Sequence, residues 1–195
     1  MPKLLSEAQI EGYARDGYVS PIDVLNEGEV KVFRQELEDW EQQRGKPIDF
    51  PEKSKSYLLF NWADQLVHHP RILDAVEDVI GPDILVYHST LFLKEANTPA
   101  YVRWHQDSPY YFVEGTQTVS MWLPLDPVKD ATLRLLAGSH QREKMVRPIS
   151  WADDSDFYDS DEDWSSVPDP DSDHANSRIL EWAMEPGDLV LFDYR

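Results

Sequence analysis

The apolar positions of this chain change their spacing near Pro82. Before it they recur every three or four residues, as on one side of a helix. Ile10, Tyr13 and Ala14 follow the capping-box pair Ser6 and Gln9, and Asp16-Gly17 closes that short helix. Val30, Phe33, Leu37 and Trp40 predict a helix over Glu27–Arg44, ended by Gly45 and Pro47. Residues 56–80 read as two further short helices split near His69-Pro70. Ile72, Leu73, Val76, Val79 and Ile80 form the buried stripe of the second, and Gly81-Pro82 stops it. Beyond Pro82, β-branched and aromatic residues come in short runs separated by turn residues: "ILVYHSTLFLK", "TVSMWLPL", "TLRLLAGSH", "RILEWAM" and "GDLVLF". Helices first and short strands after predict an α+β fold rather than βαβ units.

Composition narrows this picture. A chain of 195 residues, 41% of them hydrophobic, suits a single domain, mostly helical over 1–80 and a β core over 82–195. The absence of cysteine removes disulfides, thiolate metal sites and cysteine nucleophiles. The N-terminus has no continuous apolar run before its first acids, and no segment approaches the length of a membrane span. A cytoplasmic protein is the expectation. The net charge of -19, from 18 Lys and Arg against 37 Asp and Glu, repels phosphate backbones, so nucleic acid is not an expected partner. From Asp153 to Asp173 the chain carries ten acids and no Lys or Arg, which predicts a solvated surface loop of low intrinsic order. Its spacing lacks the central glycine and terminal glutamate of an EF-hand loop. Neither GxxxxGK[ST] nor GxGxxG occurs.

Candidate chemistry centres on "YVRWHQDSPYYF", Tyr101 to Phe112. In an extended segment His105 and Asp107 stand at i and i+2 and project to one side. An imidazole nitrogen and a carboxylate oxygen so placed could ligate one metal. A third ligand would complete the two-histidine, one-carboxylate set that suits non-haem Fe(II). The pair alone fits a second reading equally, with His105 a satisfied interior histidine and Asp107 capping a turn at Ser108-Pro109.

The ordered set "WHQD … TVSMWLPL … TLRLLAGSH … PGDLVLF", with "DGYV" at Asp16–Val19 and "FLK" at Phe92–Lys94, resembles the phytanoyl-CoA dioxygenase family over most of the chain. The resemblance implies a double-stranded β-helix (jelly-roll, cupin-like) core with N-terminal helices. It implies Fe(II) held by His105 and Asp107, with 2-oxoglutarate as co-substrate near Lys94 and Trp122. It implies hydroxylation of an unactivated C–H bond of a small molecule by molecular oxygen, with 2-oxoglutarate converted to succinate and CO2. Aspartate at 107 fits a hydroxylase, because related halogenases lack that carboxylate. His140, in "GSH", is not an expected ligand. Trp104, Tyr110, Tyr111, Phe112 and Trp122 are candidate pocket walls, of which core packing should claim at least two. The negative charge disfavours a polyphosphate thioester and prefers a small cationic or neutral substrate, although Arg103, Arg134, Arg142, Lys144 and Arg147 could offset it locally.

In the family a distal iron histidine follows the strand matching "GDLVLFDYR", and an arginine for the far carboxylate of 2-oxoglutarate follows about ten residues later. The sequence as given stops at Arg195. The expectation is therefore a longer natural chain, of which this one lacks the last strands. The alternative is a short homologue that has lost turnover and acts as a dioxygenase-like binding protein. His174 would reach a metal only if the acidic loop folded inward. His68, His69 and His88 fit helix-end, surface or strand positions.

Overall fold

Ser6 accepts the backbone N–H of Gln9 while the Gln9 side chain accepts that of Ser6, and this reciprocal cap starts α1 (Glu7–Asp16). The same device, Asn26 with Glu29, starts α2 (Glu27–Arg44), whose ends match the predicted ones. A 3-10 turn at Ser56–Leu58 precedes α3 (Asn61–Val67), and α4 (Pro70–Ile80) begins with Pro70 in the first turn, where its missing N–H costs nothing. The computed structural model describes residues 1–94, 102–113, 115–130, 132–150, 155–158, 163–172 and 177–195.

Five strands occur among the described residues: β1 (Tyr18–Asp23), β2 (Ser120–Trp122), β3 (Arg134–Leu136), β4 (Ile179–Glu181) and β5 (Asp188–Phe192). They form two antiparallel sheets, β1-β5-β2 and β3-β4. The fold is thus mixed helix and sheet. β5 is the central strand of its sheet and the most deeply buried element, with Leu189, Val190 and Leu191 all fully buried. Alternation divides its two faces. Leu189 and Leu191 join Val30, Phe33, Leu37, Ile72, Ala75 and Val76 in the core against the helices. Val190 and Phe192 point the other way, toward the face shared with their register partners Trp122 and Ser120. Trp182, just after β4, sets its ring at a tilt 5.5 Å from that of Tyr18 and donates to Ser20 Oγ at 3.1 Å, which ties the second sheet to that same face. Gly187 delivers the chain into β5. Its φ of +93° is open to glycine, and a Cβ there would lie 2.6 Å from the Leu25 carbonyl oxygen.

Three expectations change in the folded chain. The run "ILVYHSTLFLK" forms no strand over residues 84–94. It makes a single bridge, Thr90 to Ser54, and leaves Leu85 86% and Phe92 68% exposed. A period-2 pattern becomes a strand only where a partner's backbone groups meet it, and among the described residues only Lys53–Lys55 does. Conversely β1, a segment containing Pro21, is a strand because β5 pairs with it on both sides of an irregularity between Val19 and Ile22. The described part of the acidic stretch is docked rather than merely solvated. Val146 bridges Ser165 and Ile149 bridges Asp156, Arg147 pairs with Asp156 at 2.7 Å, and Lys144 pairs with Asp163. Phe157 meets the Tyr110 ring at 5.2 Å, and Tyr158 donates to the Pro109 carbonyl at 2.6 Å. No helix among the described residues is long and apolar enough to cross a membrane.

Candidate functional site

The segment carrying His105 and Asp107 is held from both sides by the end of β5. Ser108 donates its N–H to the Tyr194 carbonyl at 2.8 Å, and the Tyr194 hydroxyl reaches the carbonyls of Val113 and Gly115 at 3.3 and 3.1 Å. Gln106, between the two candidate ligands, is only 7% exposed. Its amide donates to the Arg195 carbonyl at 2.5 Å and accepts the Val146 N–H at 2.6 Å. One side chain therefore fastens the segment to two others.

His105 and Asp107 come together, with Nε2 3.2 Å from Oδ1 and both side chains roughly three-quarters buried. His105 Nδ1 lies 2.7 Å from the Arg103 carbonyl. A carbonyl only accepts, so Nδ1 carries the proton and Nε2 of the neutral ring presents a lone pair. The Asp107 oxygen opposite is also an acceptor. Two acceptors at this distance need either a proton on Nε2 or a cation that both can ligate. Burial alone would push the His105 pKa down. The hydrogen bonds to Asp107 and the Arg103 carbonyl, with the Asp107 charge, outweigh it and hold that pKa above its ordinary value. The second Asp107 oxygen, Oδ2, accepts from Ser120 Oγ at 2.8 Å. An imidazole nitrogen and a carboxylate oxygen fit two positions of a hard-to-borderline metal such as iron. Among the described residues no group of three or more His, Asp or Glu gathers around one point.

Aromatic rings border the pair. Tyr110 sets its edge toward the His105 ring, with centroids 6.2 Å apart, and its hydroxyl both donates to the Ile149 carbonyl (2.9 Å) and accepts its N–H (3.0 Å). Tyr111 is pushed up to about 12, by burial first and then by the negative charge of Asp107 and by Tyr87. Trp104 is engaged elsewhere. The Arg134 guanidinium lies 5.1 Å over its ring, and Asp171 accepts from its Nε1 at 3.1 Å while pairing with Arg134. Phe112 is 84% exposed.

Trp122 stands two residues beyond Ser120 on β2, so its side chain shares the face from which Ser120 reaches Asp107. Lys94 is exposed and makes no hydrogen bond or ion pair with another described residue. The remaining histidines lie elsewhere. His140 is buried against α1, with Nε2 donating to the Ala14 carbonyl at 3.1 Å. With Gly138 N–H on Asp16 and Gln141 on Arg15, it caps the carbonyls at the end of that helix. His88 meets Thr90 Oγ1, His68 pairs with Asp64 and His69 with Glu29. His174 lies outside the described residues. Sequence reasoning passed over Ser120 and the clamp made by Gln106. The alternation of β2 around Trp122 was the one available signal for the serine.

A curated relative, the L-proline trans-4-hydroxylase of Streptomyces griseoviridis, is 24% identical over 152 residues, covering 70% of this chain and 57% of the relative. The chain thus spans less than two thirds of that protein. Among solved structures, the non-heme monooxygenase ThoJ in its apo form is 26% identical, with a TM-score of 0.72 over 95% of this chain and 68% of the other. EctD from S. alaskensis, solved with bound Fe, is 18% identical, with a TM-score of 0.75 over 98% of this chain and 69% of that one, a likeness of fold. A family model for phytanoyl-CoA dioxygenase (PhyH) matches residues 13–195, which take in α2 to α4, β5 and the His105–Asp107 segment, and the chain belongs to that family.

Proposed function

We propose that this chain binds iron and 2-oxoglutarate and serves the hydroxylation of an unactivated C–H bond of a small molecule. The observation that carries the reading is the facing of His105 Nε2 and Asp107 Oδ1 at 3.2 Å, with the imidazole tautomer set by the Arg103 carbonyl. Both sheets are read as parts of a double-stranded β-helix, which the TM-scores to ThoJ and EctD support. Iron with 2-oxoglutarate and molecular oxygen would supply the oxidising chemistry, leaving succinate and CO2. The residues of this chain would do the holding. His105 offers its Nε2 lone pair and Asp107 its Oδ1. Trp122, on the face of Ser120, and Lys94, in the segment matching the family's "FLK", are assigned to the co-substrate. Tyr110 and Tyr111 shield the pair from bulk water, and a dry surround strengthens every charge interaction within it. A small, cationic or neutral substrate fits a chain of net charge -19. Neither nucleic acid nor a membrane enters this reading, and the cytoplasm is its compartment.

Anaerobic titration with Fe(II), or with Co(II) as a spectroscopic substitute, tests the reading in the wild type and in His105→Ala and Asp107→Ala. Binding by the wild type should weaken at least tenfold in each variant while the apoprotein's thermal midpoint holds. Unchanged affinity in Asp107→Ala refutes the assignment. Succinate release from 2-oxoglutarate, dependent on Fe(II) and absent in both variants, would be the functional counterpart.

A further inference from the structure

A carboxylate that offers one oxygen to a metal has a second oxygen to place. With both free, the group swings about its terminal torsion, which is soft and roughly two-fold, and presents either oxygen or both. In this protein the second oxygen is committed. Ser120 Oγ lies 2.8 Å from Asp107 Oδ2, and a serine hydroxyl has one proton to give. That leaves Oδ1 as the oxygen that faces His105 Nε2. Among the described residues these two are the only side chains bonded to the Asp107 carboxylate.

The donor is mounted on the same support as the ligands. β2 pairs with β5 in a register that sets Ser120 opposite Phe192, and the segment bearing Asp107 hangs on Tyr194 and Arg195 just beyond β5. Both ends of the Ser120–Asp107 bond are therefore referred to one strand, the central one of its sheet, with a fully buried middle. A ligand oriented by a partner fixed in this way stays preorganised without the metal. On these grounds we infer that Ser120 is a positioning residue, whose hydroxyl holds Asp107 as a one-oxygen ligand by occupying Oδ2. The inference rests on the metal-site reading above and adds to it a residue that touches neither metal nor co-substrate.

The test uses a matched pair of substitutions. Threonine and valine have the same shape and both suit a strand, so Ser120→Thr and Ser120→Val differ in the hydroxyl alone. Co(II) is titrated into the anaerobic wild-type chain, Ser120→Thr, Ser120→Val and Asp107→Ala, following the visible d–d bands, with apoprotein thermal midpoints recorded alongside. Thr should bind within about threefold of wild type and keep its spectrum. Val should bind about 10- to 100-fold more weakly, the usual range for losing a residue that orients a metal ligand. Its d–d intensity should fall as the freed second oxygen raises the coordination number, and its apoprotein midpoint should match that of Thr. If Asp107→Ala loses Co(II) but Val binds like Thr with the same spectrum, the role of Ser120 is overturned and the metal-site reading stands. If wild type binds no more tightly than Asp107→Ala, both are overturned.

Discussion

Gln106 offers the sharpest prediction about how the candidate site is built. Truncation to alanine deletes one acceptor and one donor, each with a single partner. The Val146 N–H belongs to a residue only 4% exposed and would lose its acceptor, and a buried N–H left unpaired costs about 1–3 kcal/mol. The Arg195 carbonyl is half-buried and can regain water, so losing that bond costs about 0.5–1.5 kcal/mol. The buried methylene lost from the side chain adds about 0.8 kcal/mol. The sum is roughly 2–5 kcal/mol, a fall of about 5–15 °C in thermal midpoint for a chain of this length. Leucine in place of Gln106 keeps the volume and removes only the hydrogen bonds, so it should retain most of the loss. Urea unfolding followed by circular dichroism, with the denaturant slope unchanged, measures both variants. A Gln106→Leu protein within about 0.5 kcal/mol of wild type would refute the claim that this amide fastens the ligand segment.

Two further outcomes follow from the N-terminal half. Gly17→Ala forces a residue with a Cβ to a φ of +83° and sets that Cβ 2.5 Å from His140 Nδ1, so stability should drop by about 2–4 kcal/mol. Gly17→Ala/His140→Ala should cost less than the two single losses added together, and strict additivity in thermal unfolding would sink the contact. Asp78 accepts the N–H groups of Lys3, Leu4 and Leu5 at 2.7, 2.8 and 2.8 Å. Burial would raise its pKa, but these bonds and the Lys3 charge hold it below the ordinary carboxylate value. A depressed folded pKa contributes stability above the unfolded value, near 4, and loses it as pH falls through the folded value. Asp78→Asn should therefore cost about 1–2 kcal/mol at pH 7, discounted for its partial exposure, and distinctly less at pH 3. Equal losses in urea at the two pH values would count against it.

What could be read from the chain follows the reach of each interaction. The helices were legible where the signals were local: Ser6 and Gln9 are three residues apart, and the apolar stripe of α2 repeats within one turn. Strands were less so. "GDLVLF" and "TVSMWLPL" became β5 and β2, whereas the equally strand-like run at 84–94 found, among the described residues, only Ser54 to bridge, and β1 was recruited from an unpromising segment by β5. The alternation of a strand is written in its own residues, but its hydrogen bonds belong to another part of the chain.

The candidate site divides along the same line. Sequence by itself set His105 and Asp107 two residues apart, a spacing that gives them one direction only where the backbone is extended; the segment forms no strand, and Asp107 has a φ of -70° and a ψ of -37°. Tertiary structure alone decided what these side chains meet. Ser120 reaches Asp107 from 13 residues away, and Gln106 is bound to Val146 and Arg195 at separations of 40 and 89. His140, not an expected ligand from its place in the sequence, is held against α1 by the Ala14 carbonyl, 126 residues earlier. Local geometry sets where a side chain points, whereas packing sets which atom waits there. A metal ligand needs both.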